Sequence, residues 1–177
     1  MGFTIEQGKD EVQAAHRFQV SAELQDIQLL DCAASVSDAD AAPEGQLSLG
    51  LKMATEVLNV SGDDARFSVR IAIVGDPTGV AVERESHRFQ VSCRYALEYK
   101  LRPGYAPSPE EIDAFKSGNA IFHCWPYSRE LIHNLTAKMG LPVPPLPFLR
   151  LAPKTEHKPP RKRTAKPAVH EKAGSDS

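Results

Sequence analysis

The chain has 177 residues, 41% of them apolar and 25% charged, with a net charge of −2. That is enough for one domain with its own core plus tails, and the composition is that of an ordinary globular protein. No apolar run reaches the roughly 18–20 residues of a membrane span, and the first twenty residues lack an export signal's basic-then-apolar pattern. Three cysteines without metal-like pairing fit reduced thiols, so the expected location is the cytoplasm.

In chain order, residues 1–15 read as a flexible N-terminal segment. The first strand is then expected in "HRFQVSAELQDIQLLD", where Phe18, Val20, Ala22 and Leu24 share one face before Ile27 and Leu29 take over. That change of phase predicts a β-bulge near Gln25 and Asp26. The stretch "CAASVSDADAAPEG" is too long for a hairpin and is expected to cross over or lie across a sheet edge. Three more strands follow. Leu47, Leu49, Leu51, Met53 and Val57 align in the next one, and Phe67, Val69, Ile71 and Ile73 in the one after. The last aligns Phe89, Val91, Cys93, Tyr95, Leu97, Tyr99 and Leu101. One-sided strands joined by the polar turns "SGDD" and "GDPTG" predict an antiparallel meander with one covered face. The hexapeptide HRFQVS occurs at 16–21 and again at 87–92 with little similarity around it, which argues against a duplication.

The covering layer is expected to be helical. Ser108, Pro109 and Glu111 form a helix start, and Gly118 is expected to stop that helix. A second helix is expected from about Asn119 to Met139, closed by Gly140 and interrupted or kinked at Pro126. At roughly 100° per residue, Ile121, Trp125, Ser128, Ile132, Leu135 and Met139 form its apolar stripe, widened by Cys124 and Leu131. The prolines of "LPVPPLPFLRL" then forbid helix, leaving an extended apolar segment that must be covered.

Residues 1–152 hold 14 Lys and Arg against 20 Asp and Glu, or −6, whereas residues 153–177 hold 7 against 3, or +4. The tail has no large apolar residue but Val169, so it is expected to be disordered, basic and rich in Pro and Lys. Its run RKR at 161–163 suggests nucleic acid, anionic lipid or an acidic partner, but no aromatic interleaves it for base stacking.

Four antiparallel strands followed by Trp125, Pro126, Tyr127, Arg129 and Glu130 on the long helix, then Gly140, Pro144, Leu146 and Pro147, resemble the SecB chaperone family over about residues 16–151. The resemblance implies an α+β fold: a four-stranded antiparallel β-meander covered by a long C-terminal helix, assembling as a dimer of dimers. It further implies a SecB-like domain at 16–152, binding of unfolded, export-bound polypeptides without ATP, and delivery to the SecA motor of the translocase. The basic tail departs from the family's acidic one, and a branch of the family protects antitoxins. A dedicated antitoxin chaperone is therefore the alternative, and a nucleic-acid-associated protein acting through the tail is the alternative from another class.

Trp125, Tyr127, Arg129, Glu130, Ile132 and Leu135 are the candidates for subunit contact or packing, and Leu146, Phe148, Leu149 and Leu151 for a peptide groove. The adjacent His123 and Cys124 do not converge on a helix, and no second ligand pair has suitable spacing. No catalytic residue, cofactor or metal is expected.

Overall fold

A computed structural model describes residues 3–36, 47–77, 89–140 and 146–154. Its centre is an antiparallel sheet of β2 (Ala22–Val36), β3 (Leu47–Ser61), β4 (Asp64–Pro77) and β5 (Phe89–Leu101), in the order β2-β5-β4-β3. Strands β3, β4 and β5 form the expected meander. β2 pairs with β5, so β2 and β3 occupy opposite edges and the chain crosses the sheet between them. Cys32–Val36 of the expected crossover are strand, whereas 37–46, the turn residues after Pro77, the prolines before Leu146 and the tail from 155 lie outside the described residues. The β3–β4 hairpin closes on Gly62 and Asp63, with φ +59° at Gly62 and no positive φ at Asp63. That is the type II′ pattern that matches strand twist.

Alternation builds the core as expected. Phe89, Val91, Cys93, Leu97, Tyr99 and Leu101 on β5, and Phe67, Val69, Ile71 and Ile73 on β4, are each at most 2% exposed. Each large apolar side chain so buried contributes about 1.5–3 kcal/mol. The predicted phase change is present as a register shift between Leu24 and Asp26, and a second occurs between Leu29 and Asp31.

The N-terminal expectation needs correcting. Residues 1–15 were expected to be flexible and 16–21 to open a strand. Instead β1 (Phe3–Gln7) and helix α1 (Lys9–Gln19) precede the sheet, and HRFQVS at 16–21 ends the helix. Gly8 N donates to the Glu11 carboxylate at 2.6 Å, and Ala14, Ala15 and Phe18 recur at helical spacing as the buried face.

The C-terminal layer also differs from expectation. Ser108 caps α2 (Pro109–Phe115) and accepts from Glu111 N, but Gly118 does not stop the helix. A π-helical turn, Lys116–Ala120, runs straight into α3 (Ile121–Lys138). Gly118 is there for close approach, since a Cβ would lie 2.6 Å from Gln7 Nε2, which donates to Ala114 O at 2.9 Å. α3 continues through Pro126, which removes the donor to Phe122 O; both residues lie on the exposed side, where water can take its place.

Glu111 joins the layers. Its carboxylate accepts from Arg17 at 2.6 Å, Tyr105 at 2.9 Å and Ser108 N at 3.0 Å. Burial opposes its charge, but these donors outweigh burial and hold the carboxyl below its usual range. Burial, and after it the same carboxylate, pushes the Tyr105 hydroxyl up to about 12.

Candidate functional site

The helical layer is narrower than the sheet. α3 packs on β5 and β4, and the π-turn reaches β4 and β3. Residues opposite each other on antiparallel strands share a face. Leu24, Ile27 and Leu29 stand opposite Tyr99, Leu97 and Tyr95, and Leu51, Met53 and Val57 opposite Ile73, Ile71 and Phe67. Both sets therefore lie on the helix side of the sheet, beyond the layer's flanks. Leu24, Leu29, Met53 and Val57 are 36–43% exposed there. Each edge strand also has a register irregularity that places a second exposed leucine beside this row, Leu30 on β2 and Leu58 on β3. Two apolar shelves thus flank one helix, each on a strand with an unpaired edge among the described residues.

The C-terminal candidates divide. β6 (Leu149–Pro153) pairs in parallel with β1, Phe3 opposite Leu149. Leu146 and Leu149 are 4% and 5% exposed and belong to the chain's own core, offering almost no surface to a ligand. Phe148 is the opposite case at 72% exposure, with the Arg129 guanidinium 4.8 Å from its ring centre. Leu151 is half-buried and lines an open cleft of about 310 Å³ with Val12, Ala15 and Gln19.

On α3, Trp125 and Ile132 pack inside the chain. The Trp125 ring meets Phe3 edge-on at 5.7 Å and its Nε1 donates to Pro147 O at 3.2 Å. Leu135 packs on the margin of the core, whereas Tyr127 and Glu130 face solvent together with Phe122. The structure therefore brings Phe122, Tyr127, Arg129 and Phe148 to the outside of the helical layer, and Leu146 and Leu149 of the expected groove to its inside.

His123 and Cys124 diverge as expected. The Tyr99 hydroxyl and His123 Nδ1 share a hydrogen bond of 2.8 Å. Burial pushes the Tyr99 hydroxyl up and the His123 ring down, which favours the neutral form of both partners. Cys124 is fully buried and burial pushes its thiol up, the reverse of what a nucleophile needs. Among the described residues no group of three His, Cys, Asp or Glu is placed to hold a metal ion, and no helix is long and apolar enough to cross a membrane.

Sequence reasoning placed Leu24, Leu29, Met53 and Val57 on strand faces but did not single them out as surface. The adjacent pairs Leu29-Leu30 and Val57-Leu58, which break the alternation, were the available signal.

No protein-family model and no curated protein matches the sequence. Among solved structures, the chain superposes on the Mycobacterium tuberculosis Rv1957 SecB-like chaperone, in complex with a ChAD peptide from the Rv1956 HigA1 antitoxin. The TM-score is 0.66 at 22% identity, over 79% of this chain and 99% of that one. The fold is SecB-like. A protein of unknown function from Streptococcus agalactiae also aligns, with a TM-score of 0.43 at 10% identity over 72% of this chain and 97% of that one. In this fold α1 packs against α2, β6 of the β1–β6 ribbon meets α3, and the shelves lie on the edge strands of the large sheet.

Proposed function

We propose that the chain is an ATP-independent chaperone that holds unfolded polypeptides in extended form on the two apolar shelves. The observation that supports this most directly is the exposed row Leu24, Leu29, Met53 and Val57 on the helix side of a SecB-like sheet. Apolar side chains beside an unpaired strand edge can take a client's side chains while the edge takes its main chain, with little demand on sequence. Clients kept unfolded in this way stay competent for export from the cytoplasm, and a SecA motor is the receiver this reading names. Assembly as a dimer of dimers belongs to the same reading, with Tyr127, Glu130 and the solvent side of α3 as contact surface.

A second reading has its own support. The Rv1957 structure holds a peptide from an antitoxin, so a single dedicated antitoxin client fits the same shelves. Light scattering of a refolding secretory precursor, beside an unrelated unfolded chain, separates the two. Suppression of both without ATP, reduced in Leu29→Asp and Met53→Asp, supports the general chaperone. Protection of neither, with binding of one antitoxin C-terminal peptide, supports the dedicated one. Protection of neither and no peptide binding would remove both.

A further inference from the structure

We propose that Cys32 and Cys93 form a reversible cross-strand disulfide when the protein meets a hydroperoxide, fastening the edge strand β2 to the centre of the sheet. The inference needs no client and stands apart from the reading above. The β2–β5 register sets Cys32 directly opposite Cys93. Opposed antiparallel residues have Cα atoms about 4.5 or 5.5 Å apart, and disulfides span Cα separations of about 4.4–6.8 Å. Both side chains lie on the helix side of the sheet, because opposed residues share a face.

Access is unequal, and this sets the order of events. Cys32 is exposed at the edge, whereas Cys93 and Cys124 are buried. The Cys93 thiol sits 3.6 Å from Ile71 O. Burial, more than any neighbour, pushes the thiols of Cys93 and Cys124 up. Cys32 therefore meets the oxidant first. Its thiolate attacks the outer oxygen of the peroxide, the O–O bond breaks, and the alcohol leaves with the proton Cys32 gave up. The resulting sulfenic acid is attacked by the Cys93 sulfur, the S–O bond breaks, and the hydroxyl departs as water with the Cys93 proton. Two thiols are oxidised to one disulfide, and one hydroperoxide is reduced to alcohol and water. Cys124 sits on the helical layer without an exposed partner, and it takes no part.

The test treats the full chain with cumene hydroperoxide, then digests it without reductant and maps linked peptides by mass spectrometry. Free thiols are expected to fall from three to one per chain, with a β2 peptide joined to a β5 peptide and two hydrogen masses lost. Dithiothreitol restores all of them. Cys124→Ser keeps the link, and Cys32→Ser, a change at an exposed edge position, abolishes it while leaving the circular dichroism spectrum unchanged. Amide exchange along β2 slows in the oxidised parent and not in treated Cys32→Ser. Persistence of all thiols, a Cys93–Cys124 link, or a disulfide between chains would each overturn the proposal.

Discussion

His-Arg-Phe-Gln-Val-Ser occurs at 16–21 and again at 87–92, and the described part of the second copy, from Phe89 on, is used in the opposite way to its counterpart in the first. In the first copy Phe18 points into the core from α1, with its ring 4.3 Å from that of Phe115, while Val20 caps the helix 54% exposed. In the second copy Phe89 and Val91 lie on one face of β5, at 1% and 0% exposure. Residues two apart share a face on a strand but not on a helix, so the helical copy must leave its valine in water. The flanks decide which happens. The Gly8–Glu11 cap, Ala14 and Ala15 draw the first copy into a helix, and the alternation from Cys93 to Leu101 draws the second into a sheet. Polar contacts then hold the helical copy in place: Arg17 binds Glu111 and Gln19 accepts from Asn119 at 2.9 Å.

The phenylalanines test whether the two contexts are energetically alike. Phe18→Ala and Phe89→Ala should each cost about 3–5 kcal/mol, read as urea unfolding midpoints. A loss under about 1 kcal/mol for Phe18 would make the helical copy a loosely held surface feature.

Glu111→Gln attacks the anchor of the first copy alone. It should cost about 1.5–3 kcal/mol, because Arg17 loses its ionic partner. Its pH dependence has a definite sign. The folded Glu111 carboxyl lies below its unfolded value of 4.5, so its stabilisation is complete above that pH and is lost as pH falls through the folded value. Thermal melts from neutral to below pH 4.5 should therefore converge for parent and Glu111→Gln, and a constant gap would reject this account.

The valines give the sharpest contrast at the smallest scale. Val91→Ala should cost about 2 kcal/mol and Val20→Ala less than about 0.5 kcal/mol. Among the neighbouring glutamines, Gln19→Ala should lose about 1 kcal/mol with its hydrogen bond, and exposed Gln90→Ala nothing measurable by the same denaturation.

The strand pattern was readable because β3, β4 and β5 alternate over ten or more residues, and the bulge near Gln25 was readable because Leu24 and Ile27 are out of phase. Helix α1 was not, since its buried face is largely two alanines, too small to mark a period against Phe18 and Val20. Gly118 looked like a stop because its neighbour Gln7 lies over a hundred residues away in sequence, and only the fold brings them together. The candidate site failed to stand out for a related reason. Leu29 and Leu97 carry the same alternation, and the width of the helical layer, which no local pattern encodes, decides which of them meets water. Phe148 and Leu149 are separated in the same way, one exposed and one buried where the chain enters β6.

The β1–β6 ribbon has a consequence for timing. Phe3 pairs with Leu149, so the first described strand emerges from the ribosome well before its only described partner exists. Until Leu149–Pro153 is made, Ile5 has no ladder to join, the Phe3 ring has no finished Trp125 pocket, and the Gln7 carbonyl lacks the Lys154 amide that it accepts at 2.7 Å. Closure over so long a stretch of chain comes late and slowly. Until that closure the opening strand of the nascent protein lacks its ladder partner, which leaves it open to proteases.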